Sequence, residues 1–225
     1  MCGIFGATDK ERFLTLYKLN KKRGTFATSL CLVTQSGDLI IHRWNGSIEI
    51  KDVEKAFAKD NTPISMYLGH TQAPTSSKRK YSLTTAHPFN YKNFTIAHNG
   101  VLTNFNEIKE QFDPNWDNPV DSSIIPAMIY ESYKAGDDRI STVDTISRAI
   151  GLLEGTFGLW IYDSDNNNTY IARCGSTVFA NHLYNEFSSV KFNDSEPLLE
   201  GVLFQLTPEG ITAVSKFDFD SPFFT

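Results

Sequence analysis

The chain has little of what most often announces a chemistry. Its 225 residues include three cysteines, Cys2, Cys31 and Cys174, and no two of them form a C-x-x-C pair or a metal-ligand spacing. So sparse and odd a count argues against a disulfide framework and suits a reducing compartment. Neither G-x-G-x-x-G nor G-x-x-x-x-G-K-[ST] occurs, so no sequence motif cradles a nucleotide phosphate. No apolar run approaches the ~20 residues that span a bilayer, and the first residues are too mixed for a signal peptide. Positive charge is also scarce. Lysine and arginine total 21 against 26 acidic residues, a net charge of −5. The dense basic runs, Lys21-Lys22-Arg23 and Lys78-Arg79-Lys80, are short. A face able to bind nucleic acid or anionic membrane directly is not expected. The cytoplasm is the default expectation, and no metal or cofactor is expected.

Among the elements that are present, strands come mostly as hairpins and helices come in adjacent pairs. "MCGIFGA" reads as a strand, and "KERFLTLYKLNKK" follows with Phe13, Leu16 and Tyr17 at helical spacing. "SLCLV-TQSGD-LIIHRW", "TFGLWIYD-SDNNN-TYIARCG" and "GVLFQLTPEGITAV" each read as two apolar runs around a turn. "SMYLGHTQ" and "FTIAHNG" read as further strands, "DVEKAFAKD" and "LTNFNEIKEQF" as helices. "SSIIPAMIYESYKAG" is a helix with Asp121 or a following serine as its cap. "STVDTISRAIGLLEG" is another, bounded by Ser or Thr at its start and Gly155 at its end. Such a string predicts antiparallel layers and not a βαβ repeat.

Two stretches suggest chemistry. Cys2 is either a small buried strand residue or, once Met1 is trimmed, a nucleophile beside its own α-amine. Amines of this kind titrate near pH 8 and thiols near 8.5, so the amine can take the thiol proton. "AHNG" is either an Asn-Gly hairpin turn or a pair of donors, Asn99 Nδ2 and Gly100 N–H, suited to a tetrahedral oxyanion. "NGVLTN" runs on toward a helix and not back into a strand. His70, His87 and His98 lie at strand ends, have no metal spacing, and read as structural support.

Cys2-Gly3-Ile4-Phe5-Gly6, Arg23-Gly24, Gly69-His70-Thr71, His87-Pro88, Ala97-His98-Asn99-Gly100, Leu102-Thr103-Asn104, Asp121-Ser122, Gly155-Thr156-Phe157-Gly158 and Arg173-Cys174-Gly175-Ser176 follow one another in a recognisable order. With these pieces the chain resembles a class II glutamine amidotransferase domain, a member of the N-terminal nucleophile hydrolases, over nearly its whole length. The resemblance implies an α+β fold, a four-layer αββα sandwich of two antiparallel sheets, as a single domain over 1–225. It implies hydrolysis of glutamine to glutamate through a thioester on Cys2, with ammonia passed to an acceptor. Asn99 and Gly100 then form the oxyanion hole. Asp121 holds the substrate α-ammonium, and Arg23, with His70 and His98, supports the site.

Two departures stand out. The family's H-x-R reads His70-Thr71-Gln72 here, and a neutral amide is no equal of a bidentate guanidinium toward a carboxylate. Three solutions compete: Arg79, Lys78 or Lys80 supplies the charge, with Arg79 favoured; Gln72 with groups near Thr75 and Ser76 binds more weakly; or the substrate is another amide or γ-glutamyl compound. The family's Asp after Arg-Gly is also replaced, by Thr25-Phe26. The synthase domain the family usually appends is missing before Thr225, so a separate ammonia-accepting synthetase is expected. Compact members with a "GHTQAPT"-like stretch are carried by bacteriophages, which would put this chain in a host cytoplasm. If Met1 is retained, a non-catalytic scaffold or regulatory role is the alternative.

Overall fold

The computed structural model describes residues 1–74, 80–113, 115–134 and 140–219. Thirteen strands pair into two antiparallel sheets. The first has the order β11 (Glu196–Pro197), β9 (Phe179–Asn181), β10 (Glu186–Ser188), β1 (Gly3–Ala7), β4 (Ile64–Gln72), β2 (Ala27–Thr34), β3 (Leu39–Asn45). The second has the order β13 (Gly210–Lys216), β12 (Val202–Thr207), β8 (Asn168–Cys174), β7 (Gly155–Asp163), β6 (Phe94–Leu102), β5 (Phe89–Tyr91). Helices α1 (Lys10–Asn20) and α2 (Ile50–Phe57) lie on the first sheet. Helices α3 (Phe105–Phe112), α4 (Ile125–Lys134) and α5 (Thr142–Ile150) lie on the second.

Three apolar seams hold these four layers, and the period of two along each strand deals its side chains between them. In β1, Ile4 enters the seam between the sheets while Phe5 packs under α1. In β2, Cys31 and Val33 face the other sheet, and Leu30 and Leu32 face the helices. In β7, Trp160 and Tyr162 face the first sheet, and Leu159 and Ile161 face α4 and α5. Strands covered on both faces carry no polar alternation, which is why they read as unbroken apolar runs. The indole N–H of Trp160 donates to the Gly69 carbonyl at 3.1 Å, tying β7 to β4 across the central seam. Burial drives the Cys31 thiol pKa up to about 12, so it stays a neutral packing group.

The expected four-layer αββα sandwich is therefore the fold, with differences in detail. Helix α5 begins as expected, with Ser141 accepting from the Asp144 N–H at 3.1 Å. It ends earlier, at Ile150 with Gly151 as its C-cap, and Gly155 opens β7 instead. The segment before α4 starts as a 3-10 turn, Asp121–Ile124, whose N-cap is Val120; Asp121 Oδ1 accepts from the next residue, Ser122 N–H, at 2.8 Å. "AHNG" is no hairpin turn: β6 runs straight through Asn99 and Gly100 to Leu102. The short strands β5, β9, β10 and β11 were not legible in the sequence.

Candidate active site

Strand β1 begins at Gly3, so Cys2 sits at the open end of the first sheet, with β4 antiparallel beside it and Thr71 opposite Gly3. Arg23 reaches it from the turn after α1. Its Nε donates to the Cys2 carbonyl at 2.7 Å and its Nη1 to the Ser189 carbonyl at 3.3 Å. The approach depends on Gly24, where a Cβ would stand 2.4 Å from the Gln72 carbonyl carbon; any side chain would push this segment away from the end of β4. Partial burial lowers the Arg23 pKa, and the neighbouring Cys2 opposes that shift. The Cys2 sulfur accepts from the Ala73 N–H at 3.4 Å. In the chain as translated, the Cys2 nitrogen is an amide nitrogen acylated by Met1, which is 85% exposed.

The second sheet brings Asn99 and Gly100 to the same cavity. Gly100 has φ +156°, and a Cβ there would lie 1.9 Å from the Thr156 carbonyl oxygen, so this position accepts only glycine. Asn99, 4% exposed, points the other way and donates from Nδ2 to Ser189 Oγ at 3.2 Å. His98 is buried, its Nε2 donating to the Thr156 carbonyl at 3.2 Å. Its pKa is lowered, chiefly by burial, with Asp121 opposing. His70 donates from Nε2 to the His98 carbonyl at 3.0 Å and so links β4 to β6.

The cavity holds about 540 Å³. Cys2, Arg23, Asn99 and Gly100 line it with Thr156 and the Gly175-Ser176-Thr177 turn. Arg173 braces that turn: Nη1 donates to the Ser176 carbonyl at 3.1 Å and pairs with Glu200 at 2.9 Å, and Glu200 also accepts from the Gly175 N–H. A larger cavity of about 640 Å³, between α1 and the β9–β10 edge, contains an Arg12–Glu186 ion pair but none of these groups.

The substrate-recognition candidates are placed differently. Both ends of the buried Gln72 amide have partners within the chain: Nε2 donates to the Thr85 carbonyl at 3.1 Å and Oε1 accepts from the His87 N–H at 3.4 Å. His87 Nε2 lies 2.9 Å from Ser122 Oγ. Asp121 Oδ2 accepts from the Leu102 N–H at 3.0 Å, fixing the carboxylate at the end of β6. Thr75, Ser76, Lys78 and Arg79 lie outside the described residues; Lys80 is exposed.

One residue of consequence carried no sequence signal. Ser189, which follows β10, is buried and bonded to Ile4, Asn99, Arg23 and Thr177 at once. Nothing in "EFSSV" distinguishes it from its neighbour. Among the described residues, no group of three or more His, Cys, Asp or Glu is arranged to hold a metal, and no helix is long and apolar enough to cross a membrane.

No family model matches the chain. Over 98% of its length it superposes on the glutamine phosphoribosylpyrophosphate amidotransferase of B. subtilis, with a TM-score of 0.70, 17% identity and half of that chain covered. A class-II glutamine aminotransferase domain protein from Silicibacter pomeroyi is matched over its whole length, with a TM-score of 0.60 and 14% identity. The chain has the fold of a class II glutamine amidotransferase domain. In sequence it is similar to the glutamine–fructose-6-phosphate aminotransferase (isomerizing) of Staphylococcus epidermidis, 26% identical over 180 residues, and to that of Bacillus subtilis, 23% over 175. The match takes in 77% of this chain but only 29% of the staphylococcal enzyme. These likenesses support glutaminase-type chemistry in a class II domain. None of these names speaks to a phage origin, so that likeness rests on the "GHTQAPT" stretch alone.

Proposed function

We propose that this chain, as a single domain, hydrolyses glutamine to glutamate on Cys2 and supplies the ammonia to a separate acceptor enzyme in the cytoplasm. The observation that carries the reading is the shared cavity, which joins Cys2 from one sheet to Asn99 and Gly100 from the other. Removal of Met1 frees the Cys2 amine, which takes the thiol proton directly or through one water. The thiolate attacks the side-chain amide carbon, and Asn99 Nδ2 with Gly100 N–H receives the developing oxyanion. Collapse returns the proton to the leaving nitrogen, ammonia departs, and water cleaves the thioester. Asp121 takes the substrate α-ammonium, with Arg79 as the favoured partner of the α-carboxylate.

Intact mass, together with glutamate release and labelling of Cys2 by a glutamine-analogue electrophile, tests this reading. The expected outcome is a chain lacking Met1 that releases glutamate and is blocked by the label. A purified chain that still begins with Met1 and is inert overturns it and leaves the scaffold reading.

A second reading, hydrolysis of another amide or γ-glutamyl compound, is favoured by one observation. The Gln72 amide is neutral and is tethered at both ends within the chain, so it brings no charge to the capture of a free α-carboxylate. Comparing glutamine with a γ-glutamyl anilide or a carboxyl-blocked glutamine amide separates the two.

A further inference from the structure

We propose that Ser189 is a positioning residue that holds the oxyanion donor and the nucleophile's strand in one fixed relation; this rests on the glutaminase reading. Ser189 is 1% exposed and sits where three parts of the site meet. Toward the nucleophile it bonds twice to Ile4, two residues beyond Cys2: its N–H donates to the Ile4 carbonyl at 2.8 Å, and its Oγ accepts from the Ile4 N–H at 3.0 Å. Toward the other sheet the same Oγ accepts from Asn99 Nδ2 at 3.2 Å. Its carbonyl accepts from Arg23 Nη1 at 3.3 Å and Thr177 Oγ1 at 3.0 Å, and that same Arg23 holds the Cys2 carbonyl.

The consequence follows from hydrogen counting. An asparagine amide has two N–H bonds. One of those on Asn99 is committed to Ser189, which fixes the rotation of the amide about its Cβ–Cγ bond and aims the other at the cavity. An alanine at 189 leaves the amide free to turn, because only the hydroxyl meets it. The Ile4 N–H would lose its Oγ acceptor, but the bond from the Ser189 N–H to the Ile4 carbonyl and those from Arg23 and Thr177 to the Ser189 carbonyl would stay, so the strand that carries Cys2 remains held. Loss of an oxyanion donor costs ~10²–10³ in kcat, and a donor that is present but misaimed should cost less. Ser189→Ala is therefore expected to lower kcat about 10- to 100-fold with KM changed less than about threefold.

A merely structural role would also lower kcat, so the test compares two labels on the mature chain. A chloromethyl ketone analogue of glutamine is attacked at its carbonyl, develops an oxyanion, and then alkylates the Cys2 sulfur with loss of chloride. Iodoacetamide alkylates the thiolate with direct loss of iodide and develops none. Ser189→Ala should slow labelling of Cys2 by the ketone at least about tenfold and leave the iodoacetamide rate within about twofold. Ser189→Thr, which keeps the hydroxyl, should restore the ketone rate. If Ser189→Ala does not fold, Ser189→Cys carries the same comparison, since its sulfur keeps the volume and accepts weakly. Equal slowing of both labels, or of neither, overturns the proposal while the glutaminase reading stands. A wild-type chain that neither hydrolyses glutamine nor takes the ketone overturns both.

Discussion

Around Cys2, the polar neighbours are tied to one another across layers: Arg23 bonds to its carbonyl, Ser189 to Ile4 in the strand that follows it, and Asn99, from the facing sheet, to Ser189. Around Gln72 and Asp121 the neighbours come from strand ends and turns: Thr85 and His87 on one, Leu102 and Ser122 on the other. The first region is cross-bonded between layers and changes shape only if a sheet does. The second hangs on single bonds to strand ends and turns. The difference suggests that chemistry and substrate choice are separable here, with loops tuning recognition on a rigid base. It also leads us to expect low glutaminase activity in the isolated domain and a rise in kcat/KM on adding an ammonia-accepting partner.

Substitutions at the two ends should split accordingly. The largest effect belongs to Cys2→Ala, which removes the nucleophile and should abolish glutamate release, a loss of about 10⁴- to 10⁶-fold in kcat; residual turnover near the wild-type rate would dissolve the comparison. Asn99→Ala should come next, about 10²- to 10³-fold in kcat with KM little changed. Gly100→Ala acts on the framework, forcing a methyl into the Thr156 carbonyl. Overpacking of about 1–3 kcal/mol should show in a thermal melt as a fall of about 2–12 °C. Asp121→Asn and Arg79→Ala belong to the recognition end. Each should raise KM about 10- to 100-fold with kcat nearly preserved, and an unchanged KM for Arg79→Ala would dismiss that residue as the carboxylate partner.

The smallest effect is a pH dependence. Burial lowers the His98 pKa, so between the folded value and the ordinary value near 6.5 the unfolded chain binds the extra proton. Stability from this group is complete above about pH 6.5 and is lost as pH falls toward the folded pKa. His98→Gln should flatten that part of a stability-versus-pH curve obtained by denaturant titration.

Much of the framework was legible because it is local. Each long hairpin announces itself as two apolar runs about a turn, and the strand pairs β2–β3, β7–β8 and β12–β13 fall where those runs lie. Helix α1 was readable from Phe13, Leu16 and Tyr17, all three buried. The three-residue strands β9 and β10 were not, since segments so short have no period to detect and exist because a sheet edge pairs with them. The helix end placed at Gly155 failed for a related reason: two glycines four residues apart both qualify as stops, and packing chose the first.

The order of apolar and polar residues by itself determined the layered antiparallel architecture, and the spacing of its motif residues marked out Cys2, Asn99 and Gly100 as candidates. Only the tertiary structure decided that Ser189 joins those groups, that Gln72 is tethered to Thr85 and His87, and that Asp121 is fastened to the end of β6. The physical reason is range. Periodicity and turn chemistry act between near neighbours, whereas the bond from Asn99 to Ser189 spans 90 residues and forms only when two sheets have already closed face to face.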